Sequence, residues 1–157
     1  MLGAFSVGKT TLVRRYVESV FSEKYLTTVG VKIDKKTVTL PDRTVNLILW
    51  DMAGEDDAST IRMSYLRGMA GYMVVADGTR AVTLDVAISI RERVESEHGP
   101  LPCVMLLNKH DLVDQWVTPD SLLDELRARG WSVRLTSARS GEGVDAAFSE
   151  LAERTTR

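Results

Sequence analysis

Two short apolar runs constrain the fold of this chain more than any other feature. "YMVVAD" at 72–77 and "CVMLLN" at 103–108 hold no charged or amide side chain until their last position. A strand with one wet face alternates, so a run without alternation is expected to be buried on both faces. Segments with helical spacing follow these runs. "TLDVAISIRERVESEHG" closes on Gly99 and Pro100, and "TPDSLLDELRARG" opens on a threonine cap with Pro119 at the first helical position. "GVDAAFSELAER" is a last helix, after the strand "WSVRLTS". Near the start, Leu12, Val13, Tyr16, Val17 and Val20 recur at helical spacing, and "VKIDKKTVTL" and "TVNLILWD" read as strands joined by "PDR". Strands alternating with helices, plus one hairpin, predict an α/β fold. Its sheet is mostly parallel with one antiparallel strand, and helices cover both faces. Ligands in such sheets bind beyond the carboxyl ends of the strands, so the loops after the apolar runs are where chemistry is expected.

The 157 residues contain no repeat and no linker, which predicts a single domain over 1–157. A formal charge of −2 provides no basic field for nucleic acid. The single cysteine, Cys103, rules out a disulfide framework and fits a reducing compartment; within "CVMLL" it is expected to be a buried strand residue. No stretch approaches the ~18 apolar residues of a membrane span. The N-terminus shows no signal peptide, and "LAERTTR" offers no cysteine for prenylation. The expectation is a soluble, cytoplasmic monomer that reaches any membrane through a partner.

The first loop is "GAFSVGKT", in which Gly3 is followed after four residues by Gly8, Lys9 and Thr10. This is the phosphate-loop pattern. Its glycines let backbone N–H groups face a phosphate, and the helix that follows adds its positive end. Lys9 offers a charge to the outer phosphates, and Thr10 a hydroxyl to magnesium. Ser6, Val7 and Thr11 belong to the same cradle. A phosphate loop alone names neither base nor reaction. "LLNKHD" leaves a strand with Asn108, Lys109 and Asp111. An ionised aspartate carries two acceptor oxygens, and guanine presents two adjacent donors where adenine offers no such pair. Asp111 can therefore select guanine, Lys109 can lie along the base and ribose, and Asn108 can tie loops together. Alone, "NKHD" reads equally well as a polar turn. In the "TSAR" loop after the next strand, the Ala138 amide can reach the guanine carbonyl and Ser137 can brace Asp111. A P-loop ATPase or kinase is disfavoured by these two loops together.

With "GAFSVGKT", "YLTTVGVKID", "WDMAGED", "SYLRG", "NKHD" and "TSAR" in this order, the chain resembles a small GTPase of the Ras superfamily, closest to the Rab-like branch and its prokaryotic members. The resemblance implies the P-loop NTPase fold with five helices and six strands, Mg²⁺ as cofactor, and a GTP/GDP cycle. It implies that Thr28 binds the metal and holds the attacking water, that Tyr25 covers the nucleotide, that Asp51 holds the metal through water, and that the Gly54 amide contacts the γ-phosphate. The family's first strand lies mid-sheet, just before the phosphate loop. With only Met1 and Leu2 there, that strand is expected to be largely missing and the chain to be truncated at its start. Exchange, activating and effector proteins are expected at the switch loops, where Ile33, Trp50 and Tyr65 fall on an apolar trio; these three read equally as part-buried core.

Three positions depart from the family. Glu55 stands where a glutamine is usual; a carboxylate accepts but cannot donate. It therefore acts differently on the attacking water or turns to solvent. Phe5 brings bulk to a position usually small, so it either crowds the path of a partner's arginine or packs aside. Arg139 ends the "TSAR" loop in place of lysine. Arg62 and Arg67 read as solvated helix-face charges rather than catalytic arginines. The leading expectation is GTP hydrolysis with Lys9, Thr28 and Glu55 as catalytic residues. The alternative is a GTP/GDP-binding module with negligible hydrolysis.

Overall fold

The computed structural model describes residues 1–24 and 27–157. In chain order the elements are β1 (Leu2–Gly3), α1 (Lys9–Glu18), β2 (Val31–Thr39), β3 (Thr44–Met52), β4 (Tyr72–Asp77), α2 (Ala81–His98), β5 (Cys103–Asn108), α3 (Asp120–Ala128), β6 (Ser132–Leu135) and α4 (Val144–Thr155). Strands β1, β4, β5 and β6 lie side by side in that order, all parallel. Strands β2 and β3 form an antiparallel hairpin in register from Val31↔Met52 to Thr39↔Thr44.

The start of the chain joins the two sheets. The Met1 ammonium donates to the Trp50 carbonyl at 2.8 Å, and the Met52 amide donates to the Met1 carbonyl at 3.3 Å. One residue bonded to two positions flanking its opposite number is the parallel ladder pattern. Strand β1 therefore sits between β3 and β4. It is two residues long, enough to lead into the phosphate loop.

Alternate residues of the two apolar runs feed two separate cores. Val74, Ala76, Met105 and Leu107 pack with Leu84, Ile90 and Val94 of α2 and Leu123 and Leu126 of α3. Met73, Val75, Val104 and Leu106 pack with Leu12 and Tyr16 of α1 and Phe148 of α4. Strands with no polar face need helices on both sides, as the sequence pattern implied.

Two local expectations are corrected. Thr118 does not cap α3; its hydroxyl donates to the Gly78 carbonyl at 3.2 Å, and α3 begins two residues later at Asp120. The described residues contain four α-helices rather than five, because the segment between β3 and β4 forms two 3-10 turns, Ala58–Thr60 and Met63–Leu66. Between them Ile61 is extended and buried, which prevents a continuous helix. Among the described residues no helix is long and apolar enough to cross a membrane.

Candidate functional site

The loop between β1 and α1 wraps the end of a cavity of about 330 Å³. At Gly8 φ is 100°, and a Cβ there would lie 2.4 Å from the Asn108 Nδ2 atom, so only glycine fits. Val7 is fully buried in the α1–α4 core and anchors the loop from beneath. Lys9 curls back over the loop, and its ammonium donates to the Gly3 carbonyl at 3.1 Å and the Ala4 carbonyl at 2.9 Å. Burial lowers the Lys9 pKa to about 8, opposed by the charges of Asp51, Asp56 and Glu55.

Beside Lys9 three side-chain oxygens converge. The Thr10 hydroxyl donates to Asp51 Oδ2 at 2.6 Å, the Thr28 hydroxyl reaches the same oxygen at 3.2 Å, and the two hydroxyls are 2.5 Å apart. Asp51 is fully buried, and its Oδ1 has no hydrogen-bond partner among the described residues. Neighbouring oxygens around an octahedral Mg²⁺ at 2.0–2.1 Å stand about 2.9 Å apart, so this hard-oxygen set fits such an ion. The described residues hold no cluster of three His, Cys, Asp or Glu side chains suited to a metal. A cation here would rely on hydroxyls, one carboxylate and oxygens from outside the chain.

The carboxyl ends of β4, β5 and β6 supply the second set of residues around the cavity. Asn108 links three loops: its Nδ2 donates to the Val7 carbonyl at 3.0 Å, and its Oδ1 accepts from the Ala138 amide and the Thr136 hydroxyl, both at 3.3 Å. Lys109 donates to the Ser6 carbonyl at 3.0 Å and pairs with buried Asp77 at 2.8 Å. This stretches its stem along the cavity wall. The Ser137 hydroxyl donates to Asp111 Oδ1 at 2.7 Å. Arg139 pairs at 3.4 Å with Glu23 across the mouth.

Phe5, Ser6, Gly8, Lys9, Thr10, Thr11, Thr28, Gly54, Asn108, Lys109, Asp111, Ala138 and Arg139 all line this one cavity. Gly3, Val7, Asp51 and Ser137 support it from behind through the bonds above. Glu55 is not among the lining residues; its Oε2 accepts from the Thr60 hydroxyl at 2.7 Å. Tyr25 lies outside the described residues. Ile33, Trp50 and Tyr65 are 55%, 42% and 41% exposed, so they form surface rather than core. Arg62 and Arg67 are exposed as well.

Sequence reasoning missed Phe21, Glu23 and Asp77. Phe21 lines the cavity just past α1, at a position no periodicity or motif singled out. Asp77 was signalled only by being the single acid ending an apolar run.

The Ras family model matches residues 1–157. This chain belongs to the Ras family. Within it, the chain is similar to the Ras-related protein Rab-10 of Caenorhabditis elegans, 33% identical over 155 residues, covering 98% of this chain and 77% of the relative. The Rab-10 protein of Diplobatis ommata is 32% identical over 156 residues, covering 98% and 78%. The Ras-family chain is thus a Rab-like, GTP-binding small GTPase, and its α/β sheet is the fold expected of one.

Proposed function

We propose that this single domain binds GTP and GDP with Mg²⁺ in the described cavity and hydrolyses GTP to GDP and phosphate, with its switch loops reporting the bound nucleotide to effectors. One observation carries the reading most strongly: the Thr10 and Thr28 hydroxyls of the hard-oxygen cluster beside Lys9 and the braced Asp111 carboxylate line the same cavity. A guanine nucleotide has its charge at one end and two adjacent donors at the other. Thr10 and Thr28, with Asp51 behind them, would hold the ion, which would supply positive charge against the phosphates. Lys9 and the loop amides hold the phosphates and stabilise charge developing on them. Asn108 and Lys109 clamp the base loop, and the Ala138 amide would leave its long bond to Asn108 for the guanine carbonyl. Thr28 and Glu55 are the residues assigned to the attacking water. Ile33, Trp50 and Tyr65 offer effectors an exposed apolar face with two aromatic anchors.

The position of Glu55 favours a second reading. With its carboxylate engaged by Thr60, this residue lacks both the aim and the donor of a glutamine, and hydrolysis becomes negligible while binding stays tight. Single-turnover GTP hydrolysis, followed for hours with and without Glu55→Gln, separates the two. A switch that hydrolyses predicts measurable phosphate from the wild type and about a hundredfold or greater change in the variant, the low end for a positioned acid–base group. No phosphate from the wild type supports the binding module, and release gained in Glu55→Gln would mark the carboxylate as its cause. Displacement of bound GTP by GDP and not by ATP tests the base assignment; equal displacement by ATP would overturn it.

A further inference from the structure

The segment after β3 is fastened to the phosphate loop by three contacts. Gly54 lies so close that a Cβ there would stand 2.6 Å from the Phe5 Cα and 2.9 Å from its nitrogen. The Glu55 amide donates to the Gly3 carbonyl at 3.2 Å. Asp56 Oδ1 accepts from the Phe5 amide at 3.0 Å. The Phe5 carbonyl in turn accepts from Arg80 Nη1 at 3.2 Å, so both backbone groups of this loop residue are held by charged side chains. A carboxylate thus bonds directly to the loop that would cradle phosphates, close enough for Lys9 to feel its charge.

We propose that Asp56 sets the preference of this protein between GDP and GTP, clipping the segment after β3 onto the phosphate loop with a carboxylate that the γ-phosphate of GTP must push away. The inference rests on the guanine-nucleotide reading above. A diphosphate leaves the clip closed. A third phosphate adds negative charge to the patch already served by Asp56, and like charges a few ångströms apart repel. GTP binding therefore gives up a charge-assisted hydrogen bond that GDP binding keeps. A ligand shifts a two-state element only by its differential affinity for the two states, and Asp56 supplies that difference here. The adjacent acid provides a comparator. Asp57 Oδ1 accepts from the Ser59 amide at 2.8 Å and caps its own turn.

The test titrates the full chain, with Mg²⁺, against a fluorescent GDP and the matching non-hydrolysable GTP analogue. Asparagine keeps an acceptor for the Phe5 amide but removes the charge, so Asp56→Asn should raise the GTP-to-GDP affinity ratio about threefold; Asp56→Ala loses both and should raise it about tenfold. Asp57→Asn should leave the ratio within about twofold, because an exposed charge that does not touch the phosphate loop is screened. Hydrogen exchange at the Phe5 amide in the GDP-bound protein should quicken in Asp56→Ala. An unmoved ratio in Asp56→Ala, an equal rise in Asp57→Asn, or unchanged Phe5 exchange each overturns the clip while leaving nucleotide binding intact. If the wild type binds neither nucleotide, the proposed function fails and the clip fails with it.

Discussion

Single residues in this protein have roles that depend on the atoms they meet more than on their type. Asp111 and Ser137 were paired by the residues alone, and the structure brings their oxygens to 2.7 Å. Arg139 substitutes for a lysine without visible strain: it forms an exposed ion pair with Glu23, a class worth about 0–1 kcal/mol. Cys103 is 3% exposed, and burial pushes its thiol up to about 11. A raised thiol pKa keeps the reactive thiolate scarce below that value. The native protein should therefore resist iodoacetamide at pH 8 for hours and take up one equivalent only on unfolding, as mass spectrometry would report. Rapid stoichiometric labelling of the folded protein would contradict the burial of this strand.

At the scale of elements, the loops at the carboxyl end of the sheet support one another. Gly78, at the end of β4, donates to the Asn108 carbonyl at 3.0 Å and accepts from the Val117 amide at 3.0 Å. A Cβ at Gly78 would lie 2.0 Å from the Trp116 ring, which itself meets His110 edge-on at 4.9 Å. Gly78→Ala must expel that ring and disturb the base loop. We expect it to cost about 1–3 kcal/mol by urea unfolding, as overpacking does, and to weaken GDP binding. Wild-type stability in this variant would show that Trp116 has room to move. The elements themselves were largely legible in the sequence, since period and apolar runs are local signals. The exceptions share one cause. Thr118 carried a cap signal, yet its hydroxyl bonds to Gly78, 40 residues away. The segment after β3 was expected to contribute a helix, yet burying Ile61 in an extended conformation splits it into two turns. At Thr118 a tertiary contact outweighed a cap worth about 0.5–2 kcal/mol, and at Ile61 burial set the local backbone.

At the scale of the whole molecule, the four-stranded parallel sheet lies between two cores, and the phosphate loop is held from the α1–α4 side. Phe148 is fully buried there and stacks on Tyr16 with ring centroids 3.9 Å apart and planes 2° from parallel. Phe148→Ala should cost about 3–5 kcal/mol, a large share of the roughly 5–15 kcal/mol that holds a domain together. Because α1 starts at Lys9, the same change should reduce the rise in Tm produced by excess GDP. A destabilised variant with a full GDP response would show that the loop is anchored independently of that core.

The sequence by itself determined the alternating α/β plan, the two-sided burial of β4 and β5, and the residue types at the loops: a glycine-framed loop with a lysine and a threonine, and an acid just past β5. These are carried by periods and spacings within a few residues, where backbone geometry links position to direction. Only the tertiary structure decided which distant groups meet. Thr10 finds Asp51 41 residues away, Phe5 finds Asp56, and Lys109 finds Asp77. Glu55 faces Thr60 rather than the cavity. The reason is physical: a side chain's local spacing specifies the face it occupies, but its partner is chosen by strand order and by how closely loops pack, which no short window contains.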